Sequence, residues 1–308
     1  MKVHEPVLLN ETVDNLVMNK DGIYVDGTIG FAGHASKIIS KLNNNGKLIG
    51  IDLDPYALKC SNDNLSKFPK KSYSLYKGNF SDFPTIIKKI GIAKVDGLVV
   101  DLGISSYQID SKHRGFSYRY NSDLDMRFDS ENGFSAKDFL NNTDELSLAD
   151  TIKNFGEEKQ YKKISFNIVK HSKASNMNTT YDLRNAIEEV SSKKFINKTL
   201  SRVFQAIRMK VNNEIENLNN FLNSSLKHVK SGGRIAIITF HSIEDKIVKK
   251  FFKKHSIKCL CPPSFPICTC NHKAKLKIIS KKGIFASDVE IKRNSRSRSA
   301  RLRIAECL

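Results

Sequence analysis

No run of 18 consecutive apolar residues occurs in this chain of 308 residues, so a membrane-spanning helix is not expected. The opening residues, Met1-Lys2-Val3-His4-Glu5-Pro6, have no apolar stretch behind them, which argues against a secretory leader. Together these absences lead to the expectation of a cytoplasmic protein with no membrane partner. No internal repeat and no long low-complexity segment appears. Acids are in short supply: 32 Asp and Glu against 51 Lys and Arg give a net charge of +19, which suits a polyanionic partner such as nucleic acid. A chain crowded with Lys, Asn and Ile, as at Ser66-Lys67-Phe68-Pro69-Lys70-Lys71, also carries such an excess without selection for binding. Cysteines number only six, and in a cytoplasmic chain they do not form a disulfide framework. Four cluster as Cys259-x-Cys261-x6-Cys268-x-Cys270, with His272 as an accessory. They either hold zinc or, given Pro262, Pro263 and Pro266, sit as inert thiols in a stiff loop, so no metal is assigned to the reaction site. Cys60 and Cys307 read as ordinary buried residues.

What is present is a core-sized apolar content of 40%, enough for one large α/β domain or two smaller ones. Short β-rich runs alternate with helical patterns from residue 22 onward, the mark of parallel βαβ units and a doubly wound sheet. Strands are expected at Ile23–Asp26, Lys47–Asp52, Tyr73–Lys77 and Val95–Asp101, and a fully buried fifth at Arg234–Phe240. The spacing of Ala35, Ile38, Ile39 and Leu42 predicts a helix between the first two. After Gly103 about 100 residues lose the strand pattern and turn helical and polar. Ser135 and Thr143 read there as helix caps, Leu146, Ala149, Ile152 and Phe155 as one face, Gly156 as a stop, and Thr180 as another start. The longest helix is expected from Ser201 to Val229, ended by Ser231-Gly232-Gly233. Leu276–Ile279 and Leu302–Ala305 read as a final antiparallel pair. The expected division is 1–105 and 213–308 for the sheet domain, with a helical insert at 106–212.

The turn after the first strand, Asp26-Gly27-Thr28-Ile29-Gly30-Phe31-Ala32-Gly33-His34, lets backbone approach a ligand and offers helix N–H groups to it. It lacks the G-x-G-x-x-G spacing of dinucleotide enzymes. About 20 residues on, Asp52 ends the second strand, where an acid typically accepts hydrogen bonds from ribose hydroxyls. Both a nicotinamide dinucleotide and S-adenosylmethionine present such a ribose. The missing pyrophosphate-type turn and the acid Asp101 at the end of the fourth strand favour a methyltransferase; two acids capping strands for solubility is the purely structural alternative. An exocyclic amine is a poor nucleophile because its lone pair is delocalised. An acceptor against its N–H bonds returns electron density to nitrogen and orients it, and Asp101 is the candidate. Phe80, Tyr107 and Phe116 are available to receive an unstacked base. His241-Ser242-x-Glu244-Asp245 reads as a substrate contact or, through Ser242 and Asp245, as a helix cap, Arg202 and Arg208 as phosphate contacts or paired surface groups, and the Arg293–Arg303 run as an RNA-backbone contact.

His4-Glu5-Pro6-Val7-Leu8-Leu9-Asn10-Glu11, the Gly30–His34 turn, Asp52-Leu53-Asp54-Pro55, Asp101–Ser106, Arg114-Gly115-Phe116-Ser117, Leu124-Asp125-Met126-Arg127, Gly156-Glu157-Glu158, Arg202-Val203-Phe204-Gln205-Ala206, Thr239-Phe240-His241-Ser242-x-Glu244-Asp245 and Ser295–Ala300 occur in one order along the chain. Jointly they resemble the RsmH (MraW) family of 16S ribosomal RNA cytosine-N4 methyltransferases. The resemblance implies a class I, Rossmann-like methyltransferase sheet with an inserted all-helical substrate-recognition domain. It further implies S-adenosylmethionine as cofactor, 16S ribosomal RNA of the small subunit as partner, and cytosine 1402 (RNA numbering) as target. It places Ala32, Gly33, His34, Asp52, Phe80, Asp101 and Gln108 at the cofactor, with Asp101 catalytic. Phe31 and Tyr107 depart from the family's usual Gly and Pro, at the turn and at the base pocket respectively, without removing a side chain assigned to chemistry, and their effect is left open. A non-catalytic RNA-binding assembly factor on the same fold is the alternative.

Overall fold

Successive side chains on a strand point to opposite faces, and a strand covered on both faces reads as one continuous apolar run. The structure, a computed structural model, describes residues 6–259, 261, 270 and 272–308. Strands β1 (Ile23–Asp26), β2 (Lys47–Asp52), β3 (Tyr73–Lys77), β4 (Val95–Asp101) and β5 (Val229–Thr239) run parallel in the order β3-β2-β1-β4-β5. Beyond β5 lies β8 (Arg301–Cys307), antiparallel to it and paired with both β6 (Leu276–Ile278) and β7 (Ile284–Phe285). This is the expected Rossmann-like α/β sheet. Val25, Ile49, Leu98 and Ile235 pack on one face with Phe83, Phe221 and Phe252. Their chain neighbours Tyr24, Leu48, Val99 and Ala236 pack on the other with Leu16, Ile38 and Leu65. Burying each such side chain stabilises by roughly 1.5–3 kcal/mol, so the two helical layers fix the sheet more firmly than strand propensity does.

The chain forms two compact units, Met1–Gly103 with Glu216–Leu308, and Ile104–Ile215. The first carries the sheet. The second is helical, with its own core of Leu140, Leu148, Ile152, Ile168, Leu183, Val203 and Phe204. Several local expectations need correcting. Thr143 closes helix Ala136–Asn142 rather than starting the next one, which Asp144 caps by accepting from the Ser147 amide. The buried face of helix Glu145–Gly156 is Leu148, Ala149 and Ile152, while Leu146 is 78% exposed. Gly156 does not take the left-handed stop; Glu157 does, at φ 50°. Gly156 instead lets another helix approach, since a Cβ there would lie 2.7 Å from the Arg202 carbonyl oxygen. Helix Tyr161–Ser175 was not anticipated.

The expected long helix is two, Ile196–Val211 and Glu214–His228, parted at Asn212-Asn213, where Asn213 is left-handed at φ 50°. Apolar spacing runs unbroken from Val211 to Ile215, so periodicity hid the break. The Asn212 side chain accepts from the Phe128 amide and donates to the Met126 carbonyl, both at 2.7 Å, which a continuing helix would not require. Ser231-Gly232-Gly233 lie within β5, where the register against β4 slips between Val95 and Gly97.

Strand β8 is tied to helix Ser242–Ser256 by charge. Asp245 accepts from Arg301 Nη1 at 2.5 Å and from Arg303 Nε and Nη2 at 2.5 and 2.9 Å, and Arg303 is only 4% exposed. Asp245→Ala leaves a buried guanidinium uncompensated and is expected to cost about 3–5 kcal/mol. Urea unfolding should show the loss as a lower midpoint with little change in slope; a midpoint equal to that of the parent chain would contradict the assignment.

Candidate active site at the carboxyl edge of the sheet

Parallel pairing sends the carboxyl ends of β1, β2 and β4 to one edge, where ligands bind in open α/β sheets. At that edge the turn after β1 is held to its neighbours by backbone: the Gly27 amide donates to the Val99 carbonyl at 2.9 Å and the Ile29 amide to the Ile51 carbonyl at 3.0 Å. A Cβ on Gly27 would stand 2.8 Å from both Phe80 Cβ and Val100 Cγ1, so the chain passes there only as bare backbone. Gly30 and Ala32 are left-handed, at φ 49° and 63°. For the buried Ala32 such a conformation costs on the order of 1 kcal/mol or more, a strain that is held where surroundings over-determine it. Helix Gly33–Lys41 starts directly after Ala32 with no side-chain cap, so its first amides face the turn.

Asp52 reaches across to this turn. Its Oδ2 accepts from the Gly30 amide at 2.9 Å and its Oδ1 from the Asp54 amide at 3.0 Å. Burial pushes its pKa up to about 6, while those backbone donors pull the other way. Phe80 follows β3 on a short turn capped reciprocally by Asn79 and Asp82, with its ring edge-on to Phe221 at 5.6 Å between centroids. His34 is buried, and its Nε2–H donates to the Val7 carbonyl at 3.0 Å. That bond places the ring proton on Nε2 and ties the imidazole to the amino-terminal segment; His4 and Glu5 lie outside the described residues. At Phe31 the ring meets Tyr56 edge-on at 6.3 Å, and the carbonyl accepts from Asn64 at 3.0 Å.

Asp101 is the last residue of β4. Its amide donates to Thr28 Oγ1 at 2.7 Å, tying the strand end to the glycine turn. Its Oδ1 is buried and has no hydrogen-bond partner among the described residues. Burial holds the Asp101 pKa well above the usual carboxylate range, and the charges of Asp26 and Glu244 push it further. Asp26 ends β1, is 2% exposed, and is pushed up to about 7 by burial with a contribution from Asp52. Glu244 is equally buried at 2% and accepts from the Phe240 amide at 3.0 Å. Three carboxyls thus converge. Asp26 and Thr28 were not singled out from sequence as site groups, although they flank Gly27; Glu244 stood in the His241–Asp245 stretch read as a substrate contact or helix cap, and the meeting of these groups with Asp101 is tertiary.

Gln108 belongs to the helical unit, where it forms a capping box with Ser105: the Ser105 amide donates to Gln108 Oε1 at 3.0 Å and the Gln108 amide to Ser105 Oγ at 3.2 Å. Its assignment to the cofactor rests on the resemblance. The cap of helix Ser242–Ser256 is His241, not Ser242. Arg202 pairs with Glu158 at 3.2 Å, and Arg208 grips Glu214 through two bonds of 2.7 and 2.9 Å. Of the Arg293–Arg303 run, Arg301 and Arg303 are engaged with Asp245, while Arg293 and Arg298 are exposed. Among the described residues no helix is long and apolar enough to cross a membrane.

The fold and this edge together define an α/β protein of the methyltransferase class. The chain belongs to the MraW methylase family, which it matches over residues 1–308. It is 42% identical to ribosomal RNA small subunit methyltransferase H 2 of Agathobacter rectalis, over 98% of each chain. It is 43% identical to ribosomal RNA small subunit methyltransferase H of Caldicellulosiruptor saccharolyticus, over 99% of each. To the protein of that name from Fusobacterium nucleatum it is 44% identical, over 98% of this chain and 96% of the relative.

The buried acids predict a pH dependence of stability. Folded Asp26 keeps its proton up to about pH 7, whereas the unfolded residue releases it near 3.8, so the folded state binds more protons in between. Stability therefore falls as pH rises through that window and levels off above it, with Asp26 accounting for up to about 4 kcal/mol. Asp26→Asn should melt higher than the parent at pH 8 and lose the advantage at pH 4. Parallel melting curves for the two chains from pH 4 to 8 would show that Asp26 is not strained.

Proposed function

We propose that the protein transfers a methyl group from S-adenosylmethionine to the exocyclic N4 of a cytosine in 16S ribosomal RNA, by resemblance cytosine 1402. Three similar proteins named as small-subunit ribosomal RNA methyltransferases support the choice of RNA. The observation that carries the chemistry is the Oδ1 of Asp101 at the carboxyl end of β4, buried and without a hydrogen-bond partner among the described residues. When bound, the cofactor supplies a methyl group on a positively charged sulfur. The residues present suit such a group: a turn passing as bare backbone at Gly27, an acid at the end of β2 that reaches that turn, an aromatic residue, Phe80, whose Cβ lies against Gly27, and a concentration of carboxyls that favours a cation.

In this reading Ala32, Gly33 and His34 line the cofactor with their backbone, Asp52 accepts from ribose hydroxyls, and Phe80 lies beside the adenine; Gln108 is retained on the resemblance. Asp101 accepts an N–H of the cytosine amine, directs the nitrogen lone pair, and takes the proton that nitrogen releases. A raised pKa makes it a better proton acceptor than an ordinary aspartate. Asp26 and Glu244 act on Asp101 through their charge and are positioning residues. The helical unit, expected over 106–212, is the substrate-recognition part.

The test is methyl transfer from labelled cofactor to small ribosomal subunits lacking the modification, with the labelled nucleoside identified by mass spectrometry. N4-methylcytidine at one site is expected. Cofactor binding without label on subunits or naked RNA would favour the assembly-factor reading. Asp101→Asn should lower single-turnover transfer by about 10²–10⁴-fold while retaining cofactor binding, and Asp52→Ala should chiefly weaken the cofactor. The parent rate should climb with pH as Asp101 ionises, its inflection above the ordinary carboxylate range; an Asp101→Asn chain with parent turnover would remove the mechanism.

A further inference from the structure

Away from the sheet's acid edge, the loop joining helix Ser242–Ser256 to β6 draws cysteines together. The loop's base is closed by backbone: the Lys275 amide donates to the His255 carbonyl at 2.8 Å, and the Leu308 amide to the Lys275 carbonyl at 3.0 Å. Within it the sulfurs of Cys259, Cys261 and Cys270 all lie within 4.8 Å of one another. Those of Cys259 and Cys270 are 3.7 Å apart, far beyond the ~2.05 Å of a disulfide. Four sulfurs placed tetrahedrally at the ~2.3 Å zinc–thiolate distance are separated by about 3.8 Å, so the observed spacing is that of two corners around one ion. The Cys261 amide also donates to Cys259 Sγ at 3.4 Å, a contact that stabilises a thiolate more than a thiol.

We propose that Cys259, Cys261 and Cys270 bind one zinc ion as thiolates. Inert thiols in a stiff loop have no reason to converge to a metal-sized triangle, and a set of soft sulfur donors favours zinc over the hard cations that carboxylates select. Cys268 lies outside the described residues, and the assignment stands on the other three. The ion is structural: it fastens the loop between the last long helix and the antiparallel edge of the sheet, and takes no part in methyl transfer.

Full-length protein, purified without chelator or metal-affinity tag, would be analysed by inductively coupled plasma mass spectrometry while its thiols are titrated with an organomercurial. About one zinc per chain is expected, released into a chromogenic indicator as the thiols react. Cys259→Ser and Cys270→Ser should each abolish stoichiometric zinc. Because either variant can misfold, the parent chain would also be reloaded with cobalt, whose thiolate-to-metal charge-transfer absorption reports sulfur donors in the native protein. A metal-free chain whose thiols all titrate at once, an oxidised Cys259–Cys270 pair found by peptide mass spectrometry, or a cobalt spectrum without the thiolate band would each overturn the proposal.

Discussion

Burial of the Asp101 carboxyl beside two other acids is the constraint on which the sheet's carboxyl edge is built. Adjacent strands in the order β1-β4-β5 run parallel, so Asp26 at the end of β1, opposite Val99, and Asp101 two residues further along β4 reach the same edge, and Glu244 enters in the first turn of the helix after β5. Left to itself such a cluster would open to water. It stays closed because the strands beneath it are covered on both faces, each buried apolar side chain contributing roughly 1.5–3 kcal/mol, and because raised pKa values lessen the charge that burial penalises. The strand ends are also stitched to the glycine turn, through Thr28 to Asp101 and through Asp52 to Gly30.

That arrangement has a chemical use. Carboxyls that resist ionising in the unliganded protein become easier to ionise when a cation is brought among them. Under the proposed reaction the cofactor's positive sulfur is that cation, so the site is strained toward the charge distribution that methyl transfer requires. The left-handed Ala32 backbone and the bare passage at Gly27 put main chain rather than side chain along the turn after β1.

Much of this was legible in sequence. Apolar runs bounded by glycine or acid placed β1, β2 and β4, whose middle residues are buried. The glycine turn, Asp52 and Asp101 stood out because they sit at strand ends, where ligand chemistry is concentrated. Three features were not legible. The break at Asn212-Asn213 was masked by unbroken apolar spacing, and only the side-chain bonds of Asn212 to another segment reveal it. The commitment of Arg301 and Arg303 to Asp245 turned part of a run read as RNA-binding into an internal brace, a distinction that charge counting cannot make. The convergence of Asp26 and Glu244 on Asp101 joins residues far apart in sequence through sheet order alone.

That a carboxyl at the end of β4 has its pKa raised by burial and lowered by a nearby cation is tested most directly by following Asp101 itself. Carbon-13 NMR of the aspartate side-chain carboxyls, with the Asp101 signal assigned by Asp101→Asn, would be titrated in the free protein, with S-adenosylmethionine, and with its uncharged demethylated product. The account predicts a titration well above 3.8 in the free protein, lowered by the cationic cofactor and lowered less by the product. A titration near 3.8 in all three states would contradict it.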